Sequence, residues 1–405
     1  MSYWIKNVRL ETGYIKEDGR ISSTKTECFH VNIQDGVYKE IIPADHEIKG
    51  QMDAKGQLML PSFGQMHVHI DKTYFSGPWK AVLPVRDRFA RIDEEKRLLS
   101  QLLPTAQERA ENMLQHFLEN GSTRVRTHCN IDQVIQLENL AITRAAVEKF
   151  NGKLAAEIVA FPQHGLLRSN CEALMRQAMR QGATIVGGVD PGTFDEDIEK
   201  SLYTTMNIAV ENDARIDLHL HELGSLGIFT IKHLAKLVEE AGFENRVTIS
   251  HAYCLGQVCE SEAMEIADLL YSLGIDITSS VPMQATIPIP LLQDRGVKVE
   301  LGTDNLSDHW SPFGTGEALS LVRKACERFK LVDERSIAQA LGYITDGIIP
   351  LSERGERLWP QVGDKADAVI VQALCSAEAV ARMAKCSTVI FNGEVVACDK
   401  EIVIQ

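Results

Sequence analysis

The sequence predicts an α/β chain: a (β/α)8 TIM-like barrel joined to a small β-sandwich module that both termini build together. Three observations predict it. Between Leu58 and Asp304, short apolar runs alternate with amphipathic stretches, as strand and helix alternate around a parallel sheet. The runs number eight, as a closed barrel requires, and residues able to do chemistry stand at the ends of several of them, where such barrels carry their active groups.

The chain has 405 residues, more than the ~250 a barrel of this kind uses. The surplus divides the chain into 1–57 and 351–405, the two parts of the β module, around a catalytic barrel at 58–350. The expected barrel strands are Leu58 to His69, Thr123 to His128, Leu154 to Phe161, Thr184 to Val189, Ile216 to His221, Val247 to His251, Ile275 to Ser279 and Val297 to Gly302. Helical spacing of apolar residues marks Ala106 to Glu119, Cys171 to Arg180, Ile231 to Glu240 and Glu262 to Leu273. Gly121, Gly152, Gly182, Gly242, Gly274 and Gly296 precede most of the strands, where a left-handed helix-ending residue is wanted. Outside the barrel, Tyr3 to Leu10, Ala368 to Val371 and Thr388 to Phe391 read as short strands from the two ends that pair with one another.

With 44% hydrophobic and 24% charged residues, the chain is able to bury a sizeable core. Its formal net charge of -14 argues against nucleic acid or an anionic membrane as the main partner, since phosphate binding needs clustered Lys and Arg. A small-molecule substrate is expected instead. The nine cysteines include no C-x-x-C pair and read as reduced thiols of a cytoplasmic protein, with Cys254 and Cys259 as packing residues. Met1 to Tyr14 lacks the features of a secretion signal, and no apolar run approaches the ~18 residues of a membrane span.

His67 and His69 in FGQMHVHIDK stand two apart on a strand, so both imidazoles point to one face and can share a metal ion. LHLHELG then brings His219, His221 and Glu222, SHAY brings His251, and LGTDN brings Asp304. His128, Gln163 and Asp190 stand at further strand ends, with His128 read as lining the pocket or packing. Alternation alone does not choose between His219 and His221, Asp304 also suits a helix cap, and Glu222 a solvated loop. Three histidines and one carboxylate suit a single divalent ion, Zn²⁺ or Fe²⁺. Such a centre is positively charged and lowers the pKa of bound water to about 7, making hydroxide available for attack. The zinc-protease pattern H-E-x-x-H, the P-C-x-x-C deaminase signature, a Walker A loop and G-x-G-x-x-G are all absent.

Taken together, PSFGQMHVHIDK, FPQHGLL, GGVDP, DLHLHELG, SHAYC, LGTDNLSDHWSPFGTG and VGDKADAVIV resemble, in order, the motifs of the amidohydrolase superfamily and its cytosine deaminase group, which includes triazine amidohydrolases. The resemblance implies His67, His69, His219 and Asp304 as metal ligands. Glu222 becomes the proton-shuttling acid, and His251 the residue that touches the attacking water. Gln163 reads the amide-like edge of a ring, and Lys72, Asn305 and Trp310 become substrate contacts. No strand-four lysine stands where a bridging carbamate would, which implies one metal. Asn305 after Asp304 and Lys72 after Asp71 are similar to isopropylammelide isopropylamidohydrolase, while Glu222 stands where that enzyme has a shorter acid.

The implied activity is hydrolytic deamination of a small heterocycle such as a cytosine-like pyrimidine, a purine or a triazine. N-dealkylation of an alkylamino-triazine and a non-catalytic barrel paralogue are the alternatives, and a homo-oligomer is expected.

Overall fold

The computed structural model describes residues 2–49 and 52–398. Strands β1 (Ser2–Glu17), β2 (Arg20–Gln34), β3 (Val37–Pro43), β4 (Met52–Asp53) and β5 (Leu58–Pro61) lead into the barrel strands. These are β6 (Phe63–Val68), β7 (Ser122–Asn130), β8 (Ala155–Phe161), β9 (Ile185–Val189), β10 (Arg215–His219), β11 (Val247–Ser250), β12 (Ile275–Ser279) and β13 (Val299–Leu301). They pair in parallel and in sequence order from β6 to β13. The ring closes through the Asp304 amide bonded to the His67 carbonyl at 2.8 Å and a parallel bridge between Val68 and Asp304.

Closure depends on Gly302. A Cβ built there would lie 2.3 Å from the His67 nitrogen and 2.5 Å from its carbonyl oxygen, so no side chain fits between the first and last strands. Gly187 has the same role within the barrel, 2.4 Å from the Ala160 carbonyl by the same construction. The run Val186 to Val189 is thus a close-packed strand. All six glycines expected before strands have positive φ.

The run Leu58 to His69, expected as one strand, is two. β5 pairs with β1 and with β14 (Ala368–Val371), and the Ser62 amide still bonds to Asp367. The next amide, Phe63, bonds to Gly121 in the barrel wall. The chain therefore changes sheet between two consecutive residues. The terminal sheet, completed by β15 (Cys386–Phe391) and β16 (Glu394–Cys398), runs β16-β15-β14-β5-β1-β2-β3, with β4 beside β1. Its own core gathers Ile5, Val8, Val31, Tyr38, Met59, Trp359 and Ile370.

Helix α1 (Arg88–Glu119) starts eighteen residues before the expected Ala106. Its inward face buries Arg91, Glu95 and Arg109, charges that interrupt the apolar spacing on which the expectation rested, and Pro104 lies inside it. Helices α2 (Glu138–Glu148) and α4 (Ile198–Glu211) fill two further strand-to-strand connections, whereas α3 (Glu172–Arg180), α5 (Gly224–Ala241) and α6 (Glu260–Ser272) overlap the segments marked by helical spacing. Helices α7 (Ile289–Asp294), α8 (Ala318–Phe329), α9 (Glu334–Ala340) and α10 (Ser376–Arg382) follow. Every cysteine among the described residues is a free thiol; Cys254 is buried as expected, but Cys259 is exposed, with its sulfur beside the Ser261 hydroxyl at 3.2 Å. No helix among the described residues is long and apolar enough to cross a membrane.

Glu11 ties β1 to α10 by accepting the Ser376 amide at 2.5 Å. Burial pushes its carboxyl up to about 7, against the opposing bonds from Ser376. A carboxyl raised in the folded state stabilises fully below its unfolded pKa of about 4.5, and that contribution is lost as pH rises to about 7. Glu11→Gln is therefore expected to melt higher than the parent at pH 8 and close to it at pH 4, measured by thermal unfolding across that range.

Candidate active site

The alternation of β6 aims His67 and His69 into the same end of the barrel, each nearly fully buried. Their Nε2 atoms lie 3.6 and 3.5 Å from one oxygen of Asp304, delivered from beyond the end of β13. The tautomer of His67 follows from its neighbours. The Ser250 hydroxyl donates its single proton to Asp217 at 2.6 Å, so at 2.9 Å from His67 its oxygen accepts the Nδ1–H. The lone pair of His67 is thereby left on Nε2, facing Asp304. Asp217 is held in turn by the Arg126 guanidinium at 3.0 Å. Arg126, Asp217 and Ser250 thus form a buried polar chain that sets one imidazole.

His219 ends β10, with its ring 4.6 Å from that of His67, and both its nitrogens are buried without a partner. His221, two residues beyond the end of β10, is already committed. Its Nδ1 bonds Asp190 at 2.9 Å, an acid that also holds Arg88 at 3.1 Å, and its ring stacks on His251 at 4.4 Å. Of the two, His219 is the one whose nitrogens are both buried and unpartnered. His251 follows β11 with both nitrogens unpartnered, 4.7 Å ring to ring from His67. His251 and Asp304 both have left-handed backbones, at φ 74 and 63, conformations that cost a non-glycine residue energy and gather at functional sites.

His128 is closer to the centre than its reading as a pocket or packing residue implied. Its ring lies 4.1 Å from His67, and both nitrogens are buried without a partner. Nitrogens of His67, His128 and His219 lie within 4.8 Å of one another, as do the ligand atoms of His67, His69 and Asp304. Buried imidazole nitrogens left unpaired cost about 1–3 kcal/mol each. A cation between the two groups relieves that cost, so the residues present fit a divalent ion. Electrostatics agree: burial, followed by the Lys72 charge, lowers His69 to about 4, and burial drives His128, His219 and His251 well below the usual histidine range. Burial alone would raise Asp304, but His251, His67 and His69 hold it far below the carboxylate range. His69, His128, His219 and His251 are thereby favoured as neutral nitrogens and Asp304 as an anion, the forms that ligate metal.

Lys72 is wholly buried, and its Nζ donates to Gln163 at 2.7 Å, Asn130 at 3.2 Å and Glu95 at 3.3 Å. Its donors are satisfied inside the protein. The Gln163 carbonyl is held by Lys72, and its amide NH₂ is left to meet a ligand. Glu95, from α1, is the hub that the sequence did not reveal. It also accepts from Asn130 at 2.6 Å, His164 at 3.3 Å, and His309 and Trp310 at 2.7 Å each. Trp310 is anchored through its indole N–H, and Asn305 donates to the Asp304 carboxylate at 3.0 Å. Glu222 follows β10 by three residues, its two oxygens accepting the Thr193 amide at 2.7 Å and the Thr230 hydroxyl at 2.8 Å; burial raises its pKa despite both bonds.

A closed parallel barrel whose strand ends surround one aspartate with buried imidazoles defines a metal-dependent hydrolase. The chain belongs to the Amidohydrolase family, whose pattern matches residues 95–397. It is 39% identical to the uncharacterized protein YahJ of Escherichia coli (strain K12), over 97% of this chain and 87% of that one. The structure is similar to N-isopropylammelide isopropylaminohydrolase from Burkholderia multivorans ATCC 17616, with TM-score 0.86, 28% identity and 98% of each chain covered. It also shares its fold with 5-methylcytosine deaminase from Klebsiella pneumoniae, with TM-score 0.80, 23% identity and 98% of each chain covered.

Proposed function

We propose that the chain deaminates a small nitrogen heterocycle, holding one divalent ion, Zn²⁺ or Fe²⁺, on His67, His69, His219 and Asp304. The observation that carries this reading is the set of unpartnered buried imidazole nitrogens gathered against a single carboxylate. When bound, the metal acts as a Lewis acid that makes water a competent nucleophile at neutral pH.

The side chains do the rest. His251, with both nitrogens free, holds the attacking water by hydrogen bond, and Asp304 takes its proton. The Gln163 NH₂, its carbonyl fixed by Lys72, donates to an acceptor on the ring. Glu222, raised by burial and steadied by Thr193 and Thr230, delivers a proton to the departing nitrogen. Water oxygen bonds to the ring carbon, the exocyclic C–N bond breaks, and ammonia leaves.

The likeness to an isopropylaminohydrolase favours a second reading, in which the same site releases an alkylamine. A product-resolved assay on metal-loaded protein tests both. Ammonia from amino-heterocycles is the expected result, alkylamine from N-alkylated triazines selects the second reading, and neither product from a broad panel would overturn both. Glu222→Gln is expected to lower kcat by roughly 10²–10⁴-fold, the worth of a positioned acid, with metal content unchanged by elemental analysis. A cytoplasmic homo-oligomer completes the proposal, checked by light scattering.

A further inference from the structure

Beside Asp304, a cavity of about 230 Å³ opens between the loops after β12 and β13 and the first turns of α8. Its wall holds a lysine that the catalytic reading does not use. Lys324 points its Nζ to the Ser280 carbonyl at 3.0 Å. One of its N–H groups is thereby used, and no carboxylate among the described residues lies within ion-pair distance. Burial lowers its pKa from the ordinary lysine range, with Asp304 working the other way. A half-buried ammonium without a counterion gains from any anion that reaches it.

Other groups in the wall limit what that anion is. The hydroxyls of Ser280 and Ser311 also line the cavity and donate to no described residue. Asp304, the carboxylate in the wall, is turned toward His67 and His69. Asn305 lines the same space, and because its NH₂ donates to Asp304, its buried Oδ1 is an acceptor with no partner. The cavity therefore offers an ammonium and two hydroxyls to an anionic oxygen and one carbonyl to a ring N–H.

We infer that this cavity is a specificity subsite for a carboxylate carried by the heterocyclic substrate, with Lys324 as its anchor and Asn305 as acceptor for the ring N–H. The inference rests on the reading of the site as one acting on a heterocycle. It adds that the substrate is a ring acid rather than a neutral base.

The test compares metal-loaded parent, Lys324→Met and Lys324→Arg. Binding of uracil and of its two carboxylate isomers, rings that have no amino group to lose, is measured by calorimetry. In parallel, kcat/KM is taken for carboxylated and uncarboxylated aminopyrimidines. The parent is expected to bind one carboxylate isomer roughly 10- to 100-fold more tightly than uracil, the worth of a hydrogen bond to a charged group. Lys324→Met erases that preference, and Lys324→Arg keeps part of it. A parent that binds uracil and both carboxylates alike overturns the inference, as does a preference that survives in Lys324→Met. Loss of all turnover alongside a Lys324-dependent preference in binding would overturn the proposed reaction and leave the subsite standing.

Discussion

Alanine in place of His67 is expected to give a folded protein that holds almost no divalent ion and has no measurable turnover. His67 is the residue common to both groups of mutually close ligand atoms, so its removal opens the centre from two sides. Its Nε2 is also the nitrogen whose aim is fixed from behind, through the Ser250 hydroxyl and Asp217. Ser250→Ala supplies the comparison. It keeps every proposed ligand but lets the His67 tautomer go, and outer-shell changes of this kind cost roughly 10- to 100-fold in metal affinity. His67→Ala should exceed that range. Elemental analysis after dialysis and metal titration give both values, and one ion per chain retained by His67→Ala would sink the ligand assignment.

The second large effect is expected at Glu95. It compensates the buried Lys72 charge and fixes Asn130, His164, His309 and Trp310 around it. Burial alone would raise its carboxyl, yet the Lys72 charge, followed by the bonds from His164 and His309, holds it well below the usual range. Glu95→Ala leaves an ammonium buried without its carboxylate, a change that typically costs about 3–5 kcal/mol. Glu95→Gln keeps the shape and loses less. Because the penalty comes from the stranded charge, Lys72→Met added to Glu95→Ala should recover much of the stability while leaving Gln163 free to turn its amide. Denaturant unfolding of the parent, Glu95→Ala, Lys72→Met and the double variant reads the coupling. Strictly additive losses would show that Glu95 acts by packing and not by charge.

The contrast between His67 and Glu95 explains what was legible in the sequence. His67, His69, His219 and Asp304 stand at strand ends, and a period of two with an abrupt polar residue after an apolar run is visible without coordinates. Asp217 was within reach by the same rule, since it shares a strand face with His219. Glu95 was not, because it sits on a helix whose buried face includes Arg91 and Arg109, so its inward position leaves no apolar stripe to betray it. His128 was seen but placed too far from the centre, because spacing along a strand does not tell how near neighbouring strand ends converge. The split of Leu58 to His69 into β5 and β6 was hidden for a related reason, as both halves are buried strands and only their partners differ.

That change of partner at Ser62 and Phe63 sets the order in which the protein can be completed. β5 lies between β1 and β14, so its outer edge has no neighbour until a segment made more than 300 residues later arrives to cover it. During synthesis, β1, β2 and β3 wait with an open strand edge and an uncovered apolar face while the whole ring is translated and closed. The finished enzyme carries no such edge there, but the nascent chain does, and it is in that interval that pairing between neighbouring copies on crowded ribosomes is most favoured.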